Sequence, residues 1–175
     1  KLAVIGSRNP SDYGLEATKK ILNELFVCKD IIIVSGLAKG IDALAHQITI
    51  DNQKGTIAVL GCGIEYCYPK KNALLKEKIT EKGLILSEYP CLTKPQKNYF
   101  PFRNRIISGL SKGVLVTDAQ VKSGTQITVR FALEQGKDVF AIPHSIFEES
   151  ACNVLIKEGA IPICNGKDLL EFFEK

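Results

Sequence analysis

The chain has 175 residues, 45% apolar and 24% charged, and its 23 Lys+Arg against 19 Asp+Glu give a formal charge of +4. That balance excludes a disordered chain, and folding at this size removes roughly 70% of the unfolded surface from water, so a core needs neither disulfides nor a structural metal. No apolar run is longer than a strand, which excludes a transmembrane helix. In chain order the apolar periodicity predicts strand 2–5, helix 15–26, strand 31–34, helix 41–49, strand 56–60, helix 71–81 and strand 84–86. An irregular stretch with three prolines follows at 87–102, and then helix 103–110 with Ile106, Ile107 and Leu110 buried. Strand 114–117, helix 125–135, strand 139–142, helix 153–157, strand 161–163 and helix 168–174 complete the chain. Runs 2–5, 31–34, 56–60 and 114–117 are almost continuously apolar, as in strands covered on both faces. Strand and helix in alternation mean one α/β domain, a mostly parallel sheet with helices on both faces. The stretch 87–102 is long for a connection in such a fold, and loops of that length are usually functional or mobile.

Lys1 runs straight into an apolar strand, with no signal-peptide h-region and no initiator Met, so the chain reads as an excised domain. Its six cysteines have no C-x-x-C spacing and no secretory context, which predicts free thiols. With only His46 and His144 available, no metal site is expected. The charge is unevenly placed. Between Glu88 and Asp118 there is no acidic residue, while Lys94, Lys97, Arg103, Arg105 and Lys112 lie there; the other 18 basic and 19 acidic residues balance to −1.

In an open parallel sheet, ligands collect beyond the carboxyl ends of the strands. Four such ends carry small-residue turns: Gly6-Ser7-Arg8-Asn9, Ser35-Gly36-Leu37-Ala38-Lys39-Gly40, Gly61-Cys62-Gly63, and 118–122 leading into Ser123-Gly124-Thr125. Free N–H groups and the positive end of a helix dipole favour an anion at such turns. Glycine there also has a purely steric reading, but Arg8, Lys39 and Lys122 beside the turns point to a phosphate-binding rim. Standard nucleotide motifs are absent: Gly61-Cys62-Gly63 lacks the third glycine of a dinucleotide fingerprint, and nothing matches a P-loop or a hydrolase motif.

Between Lys94 and Arg105, cations interleave with Tyr99, Phe100 and Phe102. That combination suits single-stranded nucleic acid, cations meeting phosphates and ring faces meeting unpaired bases; the other reading makes the rings core plugs and the cations a solvated rim. Arg103 and Arg105 cannot share a helical face, so one is expected on phosphate and the other holding the loop. Asp42 reads as a helix-start partner, and His46 as a satisfied, partly buried histidine. Glu65, Glu88 and Asp118 follow strands, but no spacing shows them converging as an acid/base set.

Over essentially its full length the sequence resembles the Rossmann-like domain of the DNA-processing protein A (DprA/Smf) family. The resemblance is carried by Val4-Ile5-Gly6-Ser7-Arg8, Ser35-Gly36-Leu37-Ala38-Lys39-Gly40-Ile41-Asp42, Leu60-Gly61-Cys62-Gly63 and Leu86-Ser87-Glu88-Tyr89-Pro90. Phe100-Pro101, Arg103-Asn104-Arg105-Ile106-Ile107-Ser108-Gly109-Leu110-Ser111, Lys122-Ser123-Gly124-Thr125 and Ala132-Leu133-Glu134-Gln135-Gly136 extend it. It implies a doubly wound sheet and a cytoplasmic, cofactor-free, non-enzymatic protein. Such a protein binds single-stranded DNA, forms homodimers and loads RecA recombinase during natural transformation, and family members usually carry additional small domains. The family's DNA pocket would fall on Arg8, Ser35, Gly36, Lys97, Phe100, Arg103, Lys122, Ser123 and Gly124; Lys39 and Arg105 join them from the strand-end and basic-loop readings. Phe102, His144, Thr117-Asp118 and Gln126 depart from the family pattern.

The competing reading is a nucleotide-binding or nucleoside-monophosphate phosphoribohydrolase-like domain of the same superfamily. Its P-G-G-x-G-T-x-x-E signature would fall near Lys122 to Val129, where neither Thr128 nor Val129 supplies a carboxylate. A pure protein-interaction module is the third.

Overall fold

The computed structural model describes residues 1–121 and 123–173. Seven strands, β1 (Leu2–Ile5), β2 (Ile33–Ser35), β3 (Thr56–Val59), β4 (Leu84–Leu86), β5 (Gly113–Val116), β6 (Asp138–Ala141) and β7 (Ile161–Pro162), form one sheet in the order β4-β3-β2-β1-β5-β6-β7. Every pairing is parallel, so the sheet is wholly rather than mostly parallel. The helices between them are α1 (Asp12–Cys28), α2 (Ile41–Asp51), α3 (Ala73–Lys82), α4 (Tyr99–Gly109), α5 (Thr125–Glu134), α6 (Ala151–Lys157) and α7 (Leu170–Phe173).

The period of two along each strand divides the core. Leu2 and Val4 of β1, Leu115 of β5 and Phe140 of β6 face one layer with Leu22, Leu25 and Ile41 from α1 and α2. Ala3, Ile5, Val114, Val116, Val139 and Ala141 face the opposite layer with Ile107, Val129 and Leu155 from α4, α5 and α6. Burying an aliphatic side chain of this size contributes roughly 1.5–3 kcal/mol, and β1, in the middle, is fully buried on both faces.

Helix α1 starts at Asp12, three residues before the predicted start, because Ser11 caps it, its Oγ accepting the Gly14 N–H at 3.0 Å. Helix α4 starts at Tyr99, four residues early, and carries Pro101 in its first turn. A first-turn N–H has no acceptor within the helix, so proline is tolerated where the sequence pattern reads it as a break. The predicted helix 168–174 divides into a 3₁₀ turn, Gly166–Leu169, closed by an Asn165–Asp168 capping box, and α7 after it; residue 174 lies outside the described residues.

Candidate nucleic-acid interface

The chain begins in the centre of the sheet, winds outward through β2, β3 and β4, and returns to the other side of β1 as β5. Adjacent connections therefore leave in opposite directions after β1 and β5, opening a crevice at their carboxyl ends. A cleft of about 410 Å³ lies there, lined by Gly6, Ser7, Arg8 and Asn9 after β1, by Ala38 and Asp42, by Phe100, Pro101, Arg103 and Asn104, and by Ser123, Gly124 and Thr125. Because the strands are parallel, α2, α4 and α5 all begin at this edge, and the positive ends of their dipoles meet at the cleft.

The rim is clamped from below. Ser7 N–H donates to Asp118 O at 2.6 Å and Ile41 N–H to Ser7 O at 3.1 Å, tying the first turn to the β5 end and to α2. Asp118 is spent on the scaffold, accepting from Ser11 N–H at 2.8 Å and Ser11 Oγ–H at 2.9 Å. Glu88 pairs with Arg105, and Glu65 is exposed in another connection. Thus Glu65, Glu88 and Asp118 do not converge, and Asp42 is the one carboxylate among the described lining residues.

Asp42 and Arg103 make the floor. Asp42 Oδ2 accepts from Gly36 N–H at 3.1 Å and Ala38 N–H at 3.4 Å. Burial pushes its carboxyl up, opposed by the Arg103 guanidinium and those two hydrogen bonds. Arg103 is 4% exposed and donates through Nη1 to Gly36 O at 2.9 Å and to Val59 O. Burial lowers its pKa to about 10 despite Asp42. A Cβ on Gly36 would sit 2.5 Å from Arg103 Nη2, so glycine makes room for the guanidinium. His46 is fully buried, not partly. Its Nδ1 lies 2.6 Å from Thr56 Oγ1, Nε2 has no partner among the described residues, and burial lowers its pKa to about 3.

The sequence-predicted site residues occupy three levels. Arg8, Lys39, Lys97 and Gly124 are exposed, with Phe100 and Ser123 half-buried. Lys39 Nζ donates to Asn9 Oδ1, and Ser123 Oγ is buried without a partner among the described residues. A Cβ on Gly124 would meet nothing within 4 Å, so packing does not explain that glycine. Ser35, Gly36 and Arg103 are scaffold beneath the rim: Ser35 Oγ donates to Val4 O at 2.7 Å. Of the two arginines, Arg103 holds the loop, while Arg105 is half-buried against Glu88, its Cζ 4.5 Å from the Phe102 ring centroid. Lys122 lies outside the described residues. The aromatic ambiguity resolves residue by residue: Phe102 is 54% exposed, Tyr99 stacks on Tyr89 at 4.2 Å, and Phe100 lines the cleft.

Sequence reasoning named Asn9 and Asn104 only within their motifs and passed over Tyr68. Tyr68, 50% exposed, places its ring 5.1 Å from that of Phe100. Its position after the third strand-end turn was the available signal.

A family model described as DNA recombination-mediator protein A matches residues 1–174. DNA processing protein DprA of Streptococcus pneumoniae is 46% identical over 176 residues, covering 99% of this chain and 62% of that protein. An X-ray structure of DNA processing protein A from Streptococcus pneumoniae has TM-score 0.91 and 44% identity, over 98% of this chain and 60% of that one. DNA processing protein A from Helicobacter pylori, solved with regard to its single-stranded DNA binding mode, has TM-score 0.89 and 32% identity, over 98% and 79%. The chain thus spans less than two-thirds of the length of the streptococcal protein. With a cleft at the switch point of a wholly parallel sheet and a family match along almost its whole length, the chain belongs to the DNA recombination-mediator protein A family.

Proposed function

We propose that this cleft binds single-stranded DNA without regard to sequence. In this reading the chain is a cytoplasmic, non-enzymatic mediator that acts as a homodimer and loads RecA recombinase onto DNA taken up during natural transformation. The observation that carries the reading is the convergence of three helix starts, exposed Arg8 and the half-buried Phe100 ring on one cleft, with Lys39 held at its edge through Asn9. Cations and N–H groups neutralise phosphates, and a ring face accepts any unpaired base. The single-stranded DNA binding mode of the Helicobacter pylori relative supports the same partner. Against a nucleotide-cleaving role, the one carboxylate among the described lining residues, Asp42, is already engaged by two backbone N–H groups and Arg103.

The test is a salt titration of binding to oligothymidylate and to a duplex of the same length. Tighter binding to the single strand, weakening linearly in log salt, is expected. Equal affinity for the duplex, or base release from a nucleoside monophosphate, would replace this reading.

A further inference from the structure

The cations and rings used so far come from the β1 and β2 ends, from α4 and from the connection before it. The connection from β3 to α3 carries a second set. It leaves β3 through Gly61, against which Phe100 packs closely, and brings Tyr68 beside Phe100 with half of its surface in solvent. Lys70 and Lys71 follow in a 3₁₀ turn, Lys70–Asn72, and both are exposed. Neither has an acidic partner within 4.0 Å among the described residues.

This turn is fixed to the rim of the cleft. Asn72 is 7% exposed, and its Nδ2 donates to Leu37 O at 3.0 Å and Ala38 O at 3.3 Å. Ala38 lines the cleft and directly precedes Lys39, and Lys71 directly precedes Asn72, so these hydrogen bonds tie the backbone that carries the two lysines to the backbone that carries Lys39. Glu65 is the only acidic residue between Gly61 and Asn72.

We propose that Tyr68, Lys70 and Lys71 form a second subsite for single-stranded nucleic acid, taking the next unpaired base on Tyr68 and the following phosphates on the two lysines. The inference rests on the reading of the cleft as a single-strand site and extends it across the carboxyl ends of β2 and β3. Tyr68 and Phe100 at 5.1 Å and 37° form a stepped pair of rings, and stacking surfaces of this kind are tolerant of base identity.

The experiment measures binding of the 175-residue chain to oligothymidylates of increasing length, with Tyr68→Ala, Tyr68→Phe and the double variant Lys70→Gln/Lys71→Gln. On oligomers long enough to leave the cleft, Tyr68→Ala weakens binding roughly 5- to 150-fold while Tyr68→Phe retains it. The lysine double variant lowers the salt slope there by about 1.4, two single-strand phosphates being released. On oligomers that only fill the cleft, all three variants match the wild type. The subsite is overturned if Tyr68→Ala and the lysine variant match wild type at every length while Phe100→Leu weakens binding, a result that leaves the cleft standing. It is also overturned if Tyr68→Ala weakens short and long oligomers alike, which would make Tyr68 a mere support for Phe100. Failure of the wild type to bind any oligomer removes the cleft reading and the subsite together.

Discussion

Arg103 carries five N–H donors on a planar, permanently charged group, and the fold spends it on joining β2, β3, α2 and α4 rather than on solvent. Removing it strips Gly36 O and Val59 O of their buried donor and takes the opposing charge away from the buried Asp42 carboxyl. Arg103→Met is therefore expected to lower unfolding free energy by about 3–5 kcal/mol in urea denaturation. Adding Asp42→Asn to that variant should recover part of the loss, because the stranded carboxylate is gone. His46 gives the pH dependence its sign. Burial holds its folded pKa at about 3 against 6.5 for the ordinary group, so the unfolded chain binds more protons between those values. Its contribution to stability is whole above pH 6.5 and falls with decreasing pH through that window, by about 1.4 kcal/mol per unit. Asp42, whose carboxyl burial pushes up, works in the opposite sense by favouring the fold as pH falls. Comparing wild type with His46→Gln across pH 4–6 in denaturant melts isolates the histidine: the variant is expected to lose that slope.

At the scale of elements, the turn entering α2 sets the position of the rim. Gly40 has φ +86°, and a Cβ there would lie 2.2 Å from Ser7 O, the same oxygen that accepts the Ile41 N–H. Gly40→Ala should cost about 1–3 kcal/mol through the backbone strain alone, and it should displace the Ser7-Arg8 turn, weakening oligonucleotide binding as well as lowering Tm. Helix existence was legible here because apolar residues such as Ile21, Leu22, Leu25 and Phe26 repeat at helical spacing in α1. Helix starts were less so, since they depend on Ser11 capping and on proline being harmless in the first turn of α4, neither of which alters hydrophobic period. The roles of Arg103 and Arg105 were open for a related reason. Helical spacing separates their faces, but only the packing of α4 on β2 and β3 decides which one is buried.

For the whole molecule, a formal charge of +4 says little about a partner; its placement says more. Winding outward from a central β1 collects the small-residue turns, the helix starts and exposed Arg8 and Lys39 at one edge. The turns were visible in the sequence because strand ends are visible. The cleft gathers the turns after β1, β2 and β5 but not Gly61-Cys62-Gly63 after β3; this follows from strand order, which the alternation of strand and helix leaves undetermined, and so Tyr68 went unnoticed although its chemistry was plain. The central claim is that the cleft receives the backbone of a single strand. The most direct measurement is the slope of log affinity against log salt for oligothymidylate, wild type against Arg8→Gln, whose exposed side chain has no ion-pair partner among the described residues. Loss of one phosphate contact predicts weaker binding and a slope smaller in magnitude by about 0.7; unchanged affinity and slope in the folded variant would contradict the claim.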